Sequence, residues 1–122
     1  MSNGNETRER NREHLGRAQY AAVQLKSAVR IYAVGFNPTT GYTNYFQQTP
    51  IDIWPPQFEF YSVPPEAGAT VVTFFEVHTT FAAFEDVKEV VVFDADGEHH
   101  VVVARSVTRA EGGDGPFPVF GR

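Results

Sequence analysis

The stretch Val87-Lys88-Glu89-Val90-Val91-Val92-Phe93, then Asp94-Ala95-Asp96-Gly97-Glu98, then His99-His100-Val101-Val102-Val103-Ala104-Arg105-Ser106-Val107 decides the fold class. Two runs rich in β-branched residues flank a turn sequence that contains Asp-Gly. β-branched side chains suit a pleated, half-buried surface. Asp-Gly between two such runs is a strong hairpin signal, because glycine accepts the positive φ that a tight turn needs. The reading is strand, turn, strand, with Gly97 at positive φ.

Working outward, Thr70–Phe81 alternates with period two. Val71, Thr73, Phe75, Val77, Thr79 and Phe81 share one face, and Val72, Phe74, Glu76, His78 and Thr80 share the other. Its first half is apolar on both faces, which predicts a place in the middle of a sheet. Phe58 and Phe60 alternate with Glu59 and Tyr61, and Pro64-Pro65 stops that strand. Further upstream, Val23, Leu25, Ser27, Val29, Ile31 and Ala33 fall on one side of a single continuous alternation. It runs to Val34 and ends at Gly35-Phe36-Asn37-Pro38. A short helix over Thr7–Ala22 is the one helical pattern, and it is weak. Six or seven short strands of this kind predict an all-β protein: an antiparallel β-sandwich, immunoglobulin-like or related.

At 122 residues the chain makes one domain. The expected organisation is a flexible arm over 1–20, the β-sandwich over 21–108 and a Gly/Pro-rich tail over 109–122. Residues 1–14 carry almost no apolar side chain, so nothing drives them to order. There is no cysteine, which removes thiol nucleophiles, Cys-ligated zinc and disulfides. Six basic and three acidic residues fall in 1–30, against four and twelve in 31–122. An acidic body repels phosphate backbones, so nucleic acid is not an expected partner. No apolar run approaches a membrane span, and no leader pattern is visible. A cytoplasmic protein that does not contact membranes is the expectation.

The loop Asn37-Pro38-Thr39-Thr40-Gly41-Tyr42 has the chemistry of a rigid, presented segment. Asn37 can form an Asx turn, Pro38 fixes its own φ, Gly41 permits positive φ, and Thr39 and Thr40 are stiff. An ordered loop loses little entropy on binding. Tyr42, Tyr45, Phe46, Trp54 and Tyr61 lie close by in sequence, and Tyr and Trp favour interfaces.

The string Asn37–Tyr42 resembles the signature loop of chagasin-type inhibitors of papain-like cysteine peptidases. The resemblance implies an immunoglobulin-like sandwich that inserts this loop into a peptidase cleft, between a glycine-rich loop and an Arg-Pro-Trp loop. Here the only tryptophan is Trp54, no Arg-Pro-Trp occurs, and Gly112-Gly113 lies late in the chain. Pro38–Asn44 together with Pro55–Pro65 also resembles small uncharacterised bacterial β-proteins. That resemblance implies a fold and no activity.

Other chemistry finds thin support. Glu76 and His78 with His99 or His100 would make an open zinc set if the long strand paired with the hairpin. Scattered surface histidines are the plainer reading, so no metal or cofactor is assigned. Asp94–Glu98 is too short for an EF-hand loop. No nucleophile motif is present. The chain therefore reads as a non-catalytic binding protein. Its expected contact residues are Asn37, Pro38, Thr39, Thr40, Gly41, Tyr42, Tyr45 and Trp54, facing a protein partner or a second copy in a homo-oligomer.

Overall fold

The computed structural model describes residues 13–49 and 53–105. Eight strands form in chain order: β1 (His14–Leu15), β2 (Gln19–Leu25), β3 (Ala28–Asn37), β4 (Thr43–Gln48), β5 (Gln57–Val63), β6 (Thr73–Ala82), β7 (Glu89–Asp94) and β8 (Gly97–Arg105). No helix occurs among the described residues, so the all-β class holds. The stretch 7–22 is not helical where it is described. β1 and the start of β2 also fall within the stretch 1–20 expected as an arm. The expected mobility of residues 1–12, and the tail 109–122, lie outside the described residues.

All eight strands hydrogen-bond into one curled sheet, a half-barrel, in the order β1-β5-β7-β8-β2-β3-β6, with β4 on β5 as well. The expectation of an antiparallel sheet is corrected. β2 pairs with β8 in parallel, and so does β5 with β7. Alternation reports which face of a strand is buried and carries no information on direction, so the sequence pattern had no means of revealing these pairings. β8 divides between two partners: residues 97–102 pair with β7 and residues 103–105 run beside β2.

Curling brings the sheet's inner face around a core of its own. Val29, Ile31, Phe60, Val90 and Val92 are completely buried. Rings meet across the interior: Phe60 stacks on Phe75 with centroids 5.9 Å apart, and Phe58 meets Phe81 at 5.4 Å. Each buried ring removes a large apolar area from water.

The continuous alternation over 23–34 proves to be two strands. Lys26 and Ser27 form a two-residue turn, with Lys26 at φ 57° and Leu25 opposite Ala28. A two-residue turn reverses which parity faces inward. Ala22 and Gln24 of β2 therefore share the inner face with Ile31 and Val29 of β3. Leu25, expected on that face, is 42% exposed, while Gln24 is 3% exposed. The buried Gln24 amide is satisfied. Its nitrogen donates to the Glu85 carbonyl at 3.0 Å, and its oxygen accepts from the Val87 backbone N–H at 3.0 Å.

The hairpin at 94–97 forms as expected. Asp94 opposes Gly97, Ala95-Asp96 make the turn, and Gly97 has φ 119°.

Candidate interaction site at one end of the half-barrel

The loop after β3 is fastened to the loop before β6. Thr40 N–H donates to the Ala69 carbonyl at 3.1 Å, and Ala69 N–H donates to Thr40 Oγ1 at 2.9 Å. Thr39 Oγ1 donates to the Thr40 carbonyl at 3.0 Å. Gly41, at φ 90°, lies against Pro65. Gly68 packs so tightly that a Cβ there would collide with the Thr40 carbonyl oxygen. Two glycines thus let two loop backbones lie in contact. Asn37 is the buried last residue of β3, opposite Thr73, rather than part of the exposed loop. Pro38 and Gly41 are exposed, and Thr39, Thr40 and Tyr42 are half-buried.

Beside this double loop lies an apolar surface that the sequence pattern pointed to and misassigned. Phe36 is 68% exposed, Phe74 56%, Val72 67% and Val71 56%. Phe36 and Phe74 are cross-strand partners with ring centroids 5.6 Å apart. The two-faced apolar start of Thr70–Phe81 predicted a mid-sheet strand. That expectation is corrected: β6 ends the sheet's strand path, and its outer face, like that of β3 at Phe36, meets solvent. A double-sided apolar run has two physical explanations, a covered sheet or an exposed patch, and sequence does not separate them.

The aromatic set expected near this loop divides. Tyr45 stacks on Tyr61 at 5.5 Å, with the Tyr61 hydroxyl donating to Glu59 at 2.7 Å. That bond, followed by burial and the Glu59 charge, pushes the Tyr61 phenol up to about 12. Trp54 is exposed but precedes β5, whose far end, at Val63, pairs with Thr43 beside the loop. The length of β5, about 20 Å at the usual strand rise, separates Trp54 from Thr39 and Thr40. Trp54 therefore does not join the loop surface.

The histidines also separate. His78 lies beside Tyr32, ring centroids 5.6 Å apart, on the outer face of β6. β3 and β2 intervene between β6 and β8, so Glu76 and His78 do not converge with His99. Among the described residues, no three His, Asp or Glu side chains are grouped to hold a metal ion.

His99 instead belongs to a cluster that sequence reasoning missed. The Asp94 carboxylate is fully buried. Its Oδ1 accepts from Asp96 N–H at 2.8 Å and lies 2.8 Å from His99 Nε2, and its Oδ2 accepts the Tyr20 hydroxyl at 2.6 Å. Burial and then the Asp94 bond push the Tyr20 phenol far above its ordinary value. Both carboxylate oxygens are engaged by internal partners, which suits an anchor for the turn better than a reactive group. Counting Asp94 as a turn residue hid this role. On the opposite face, His100 is held between Glu89 at 3.1 Å and Glu98 at 2.8 Å, and these bonds raise its pKa.

Comparison with family models, with curated proteins and with solved structures finds no match.

Proposed function

We propose that this protein is a non-catalytic interaction module that presents the loop within Asn37–Phe46, together with its apolar neighbours, to a protein partner. One observation carries the reading. Four large apolar side chains, Phe36, Val71, Val72 and Phe74, stand more than half exposed beside a loop pair already fixed by reciprocal hydrogen bonds. Contiguous exposed apolar surface marks interaction sites, and a loop fixed before binding sacrifices little entropy. Polar Thr39, Thr40 and Tyr42 at its margin supply the hydrogen-bonding rim that protein interfaces favour.

The test is proximity cross-linking in the native cell with four forms: wild type, Phe36→Ser/Phe74→Ser, Thr40→Ala/Tyr42→Ala and Trp54→Ala. The expected partner is captured by wild type and Trp54→Ala and lost by both double variants. Capture that ignores both double variants overturns the reading.

A narrower form is inhibition of a papain-like cysteine peptidase, with the loop as the inserted element of an immunoglobulin-like scaffold. The fixed backbone around Thr40 and Gly41 favours it, because an inhibitory loop must resist deformation in the cleft. Titration of papain with micromolar protein tests this form. Unchanged peptidase activity would remove it and leave the broader reading in place.

A further inference from the structure

We infer that a second copy of this chain pairs along the free edge of β6, in an antiparallel two-fold register centred on Val77. This inference rests on the edge of β6 and shares only Phe74 with the loop reading.

β6 is ten residues long and pairs with β3 through an unbroken register from Ala28↔Ala82 to Asn37↔Thr73. Among the described residues it ends the strand path, and β4 comes near it without forming a ladder. A long unpaired strand offers a row of backbone donors and acceptors to any other strand. Monomeric proteins blunt such edges with charged side chains, lysine above all, with proline or with a bulge. Along Thr73–Ala82, β6 has no lysine, proline or bulge, and Glu76 is its one carboxylate. A second observation concerns burial. The inner-face residues of β3, Val29, Ile31 and Ala33, are completely buried, whereas Thr73, Phe75, Val77, Thr79 and Phe81 of β6 are all only half-buried. The inner face is thus left part-covered along this whole edge.

Complementarity between a carboxylate and an imidazole, which pair by hydrogen bond, selects the partner and the register. Glu76 and His78 are the only ionisable side chains on β6. They stand two apart on the outer face, either side of Val77. If Val77 faces its own copy, Glu76 faces the partner's His78, and His78 faces the partner's Glu76. Each contact then occurs twice, as an isologous interface requires. The same register sets Phe74 opposite Thr80, and Phe75 opposite Thr79. Arg30 is bonded to Thr80 at 3.2 Å. The guanidinium of each copy is thereby brought beside the partner's Phe74, a cation–aromatic contact.

Sedimentation velocity over a micromolar to millimolar range, at low ionic strength, tests the inference. The expected result is a concentration-dependent dimer. His78→Glu places Glu opposite Glu twice and should weaken the dimer about tenfold or more, since like charges directly opposite are destabilising. Glu76→Lys/His78→Glu restores opposite charges in this register alone and should recover the dimer. Both positions are exposed, and circular dichroism checks that each variant stays folded. Hydrogen exchange in residues 73–81 should slow as wild-type concentration rises. A monomer throughout, a dimer indifferent to His78→Glu, or failure of the double variant to recover would each overturn the inference. A monomer would leave the loop reading untouched.

Discussion

At the residue scale, Asp94 and Gly97 explain why one hairpin is so well specified. Gly97 has open space where a Cβ would stand, so only its backbone conformation resists substitution. Gly97→Val should therefore destabilise the fold by roughly 1 kcal/mol or more, read as a shift of the urea midpoint. An unchanged midpoint would contradict the positive φ. Asp94→Ala removes a buried acceptor from Tyr20, His99 and the Asp96 backbone at once. It should cost about 2 kcal/mol or more, the penalty of leaving buried polar groups unmatched. The phenols give a pH signature. The folded state favours neutral Tyr20 and Tyr61, because both are raised. Their contribution is constant below the ordinary phenol pKa of about 10 and is lost as pH rises above it. Denaturant midpoints should fall above that pH, and Tyr20→Phe should flatten the fall. His100 titrates the other way round from a depressed acid. Its raised pKa means that the contribution is full at low pH and lost as pH rises through the folded value. Nuclear magnetic resonance should place its midpoint above that of a free imidazole, and Glu89→Gln with Glu98→Gln should lower it.

At the element scale, the loops before β4 and before β6 behave as one unit. Gly68→Val is expected to separate them, because the new side chain meets the Thr40 carbonyl. Amide exchange at Thr40 and Ala69 should accelerate while that of β7 and β8 stays slow. Uniform acceleration would show that the loops share the stability of the whole sheet. This scale also marks where sequence reasoning worked. Within the described residues, Val87–Arg105 was legible because its turn chemistry and its strand composition agree. The segment 23–34 was misread as one strand because Lys26-Ser27 carries neither glycine nor proline, and its alternation passes unbroken through the turn. Only the buried Gln24 and exposed Leu25 reveal the change of parity. The candidate loop was legible from Pro38 and Gly41. Its fastening to Ala69 was not, since nothing local links residues so far apart in the chain.

For the whole molecule, class was legible and topology was not. Counting strands predicts a β-protein, but the parallel β2–β8 and β5–β7 pairings arise from long-range contacts with no short-range signature. The surface patch shows the same limit. Phe74 and Val72 look like core in sequence and are surface because no second layer among the described residues covers the outer face there. Phe36→Ser/Phe74→Ser is thus expected to change the melting temperature little and to improve solubility. A large loss of stability would return both rings to the core.

The seating of β2 beside β8 governs the order in which the chain can assemble. β2 enters near the start of the chain, yet one of its two neighbours is the last strand described. The β2–β3 hairpin can form early, but the half-barrel closes only once β8 arrives. Contacts between distant parts of a chain slow folding, because the entropy of loop closure opposes them before they stabilise anything. On a translating ribosome, the edge of β2 destined for β8 therefore stays vacant until residues 103–105 have left the exit tunnel. During that interval the vacancy is open to a neighbouring polypeptide, the kind of unpaired edge that makes a folding intermediate prone to aggregate.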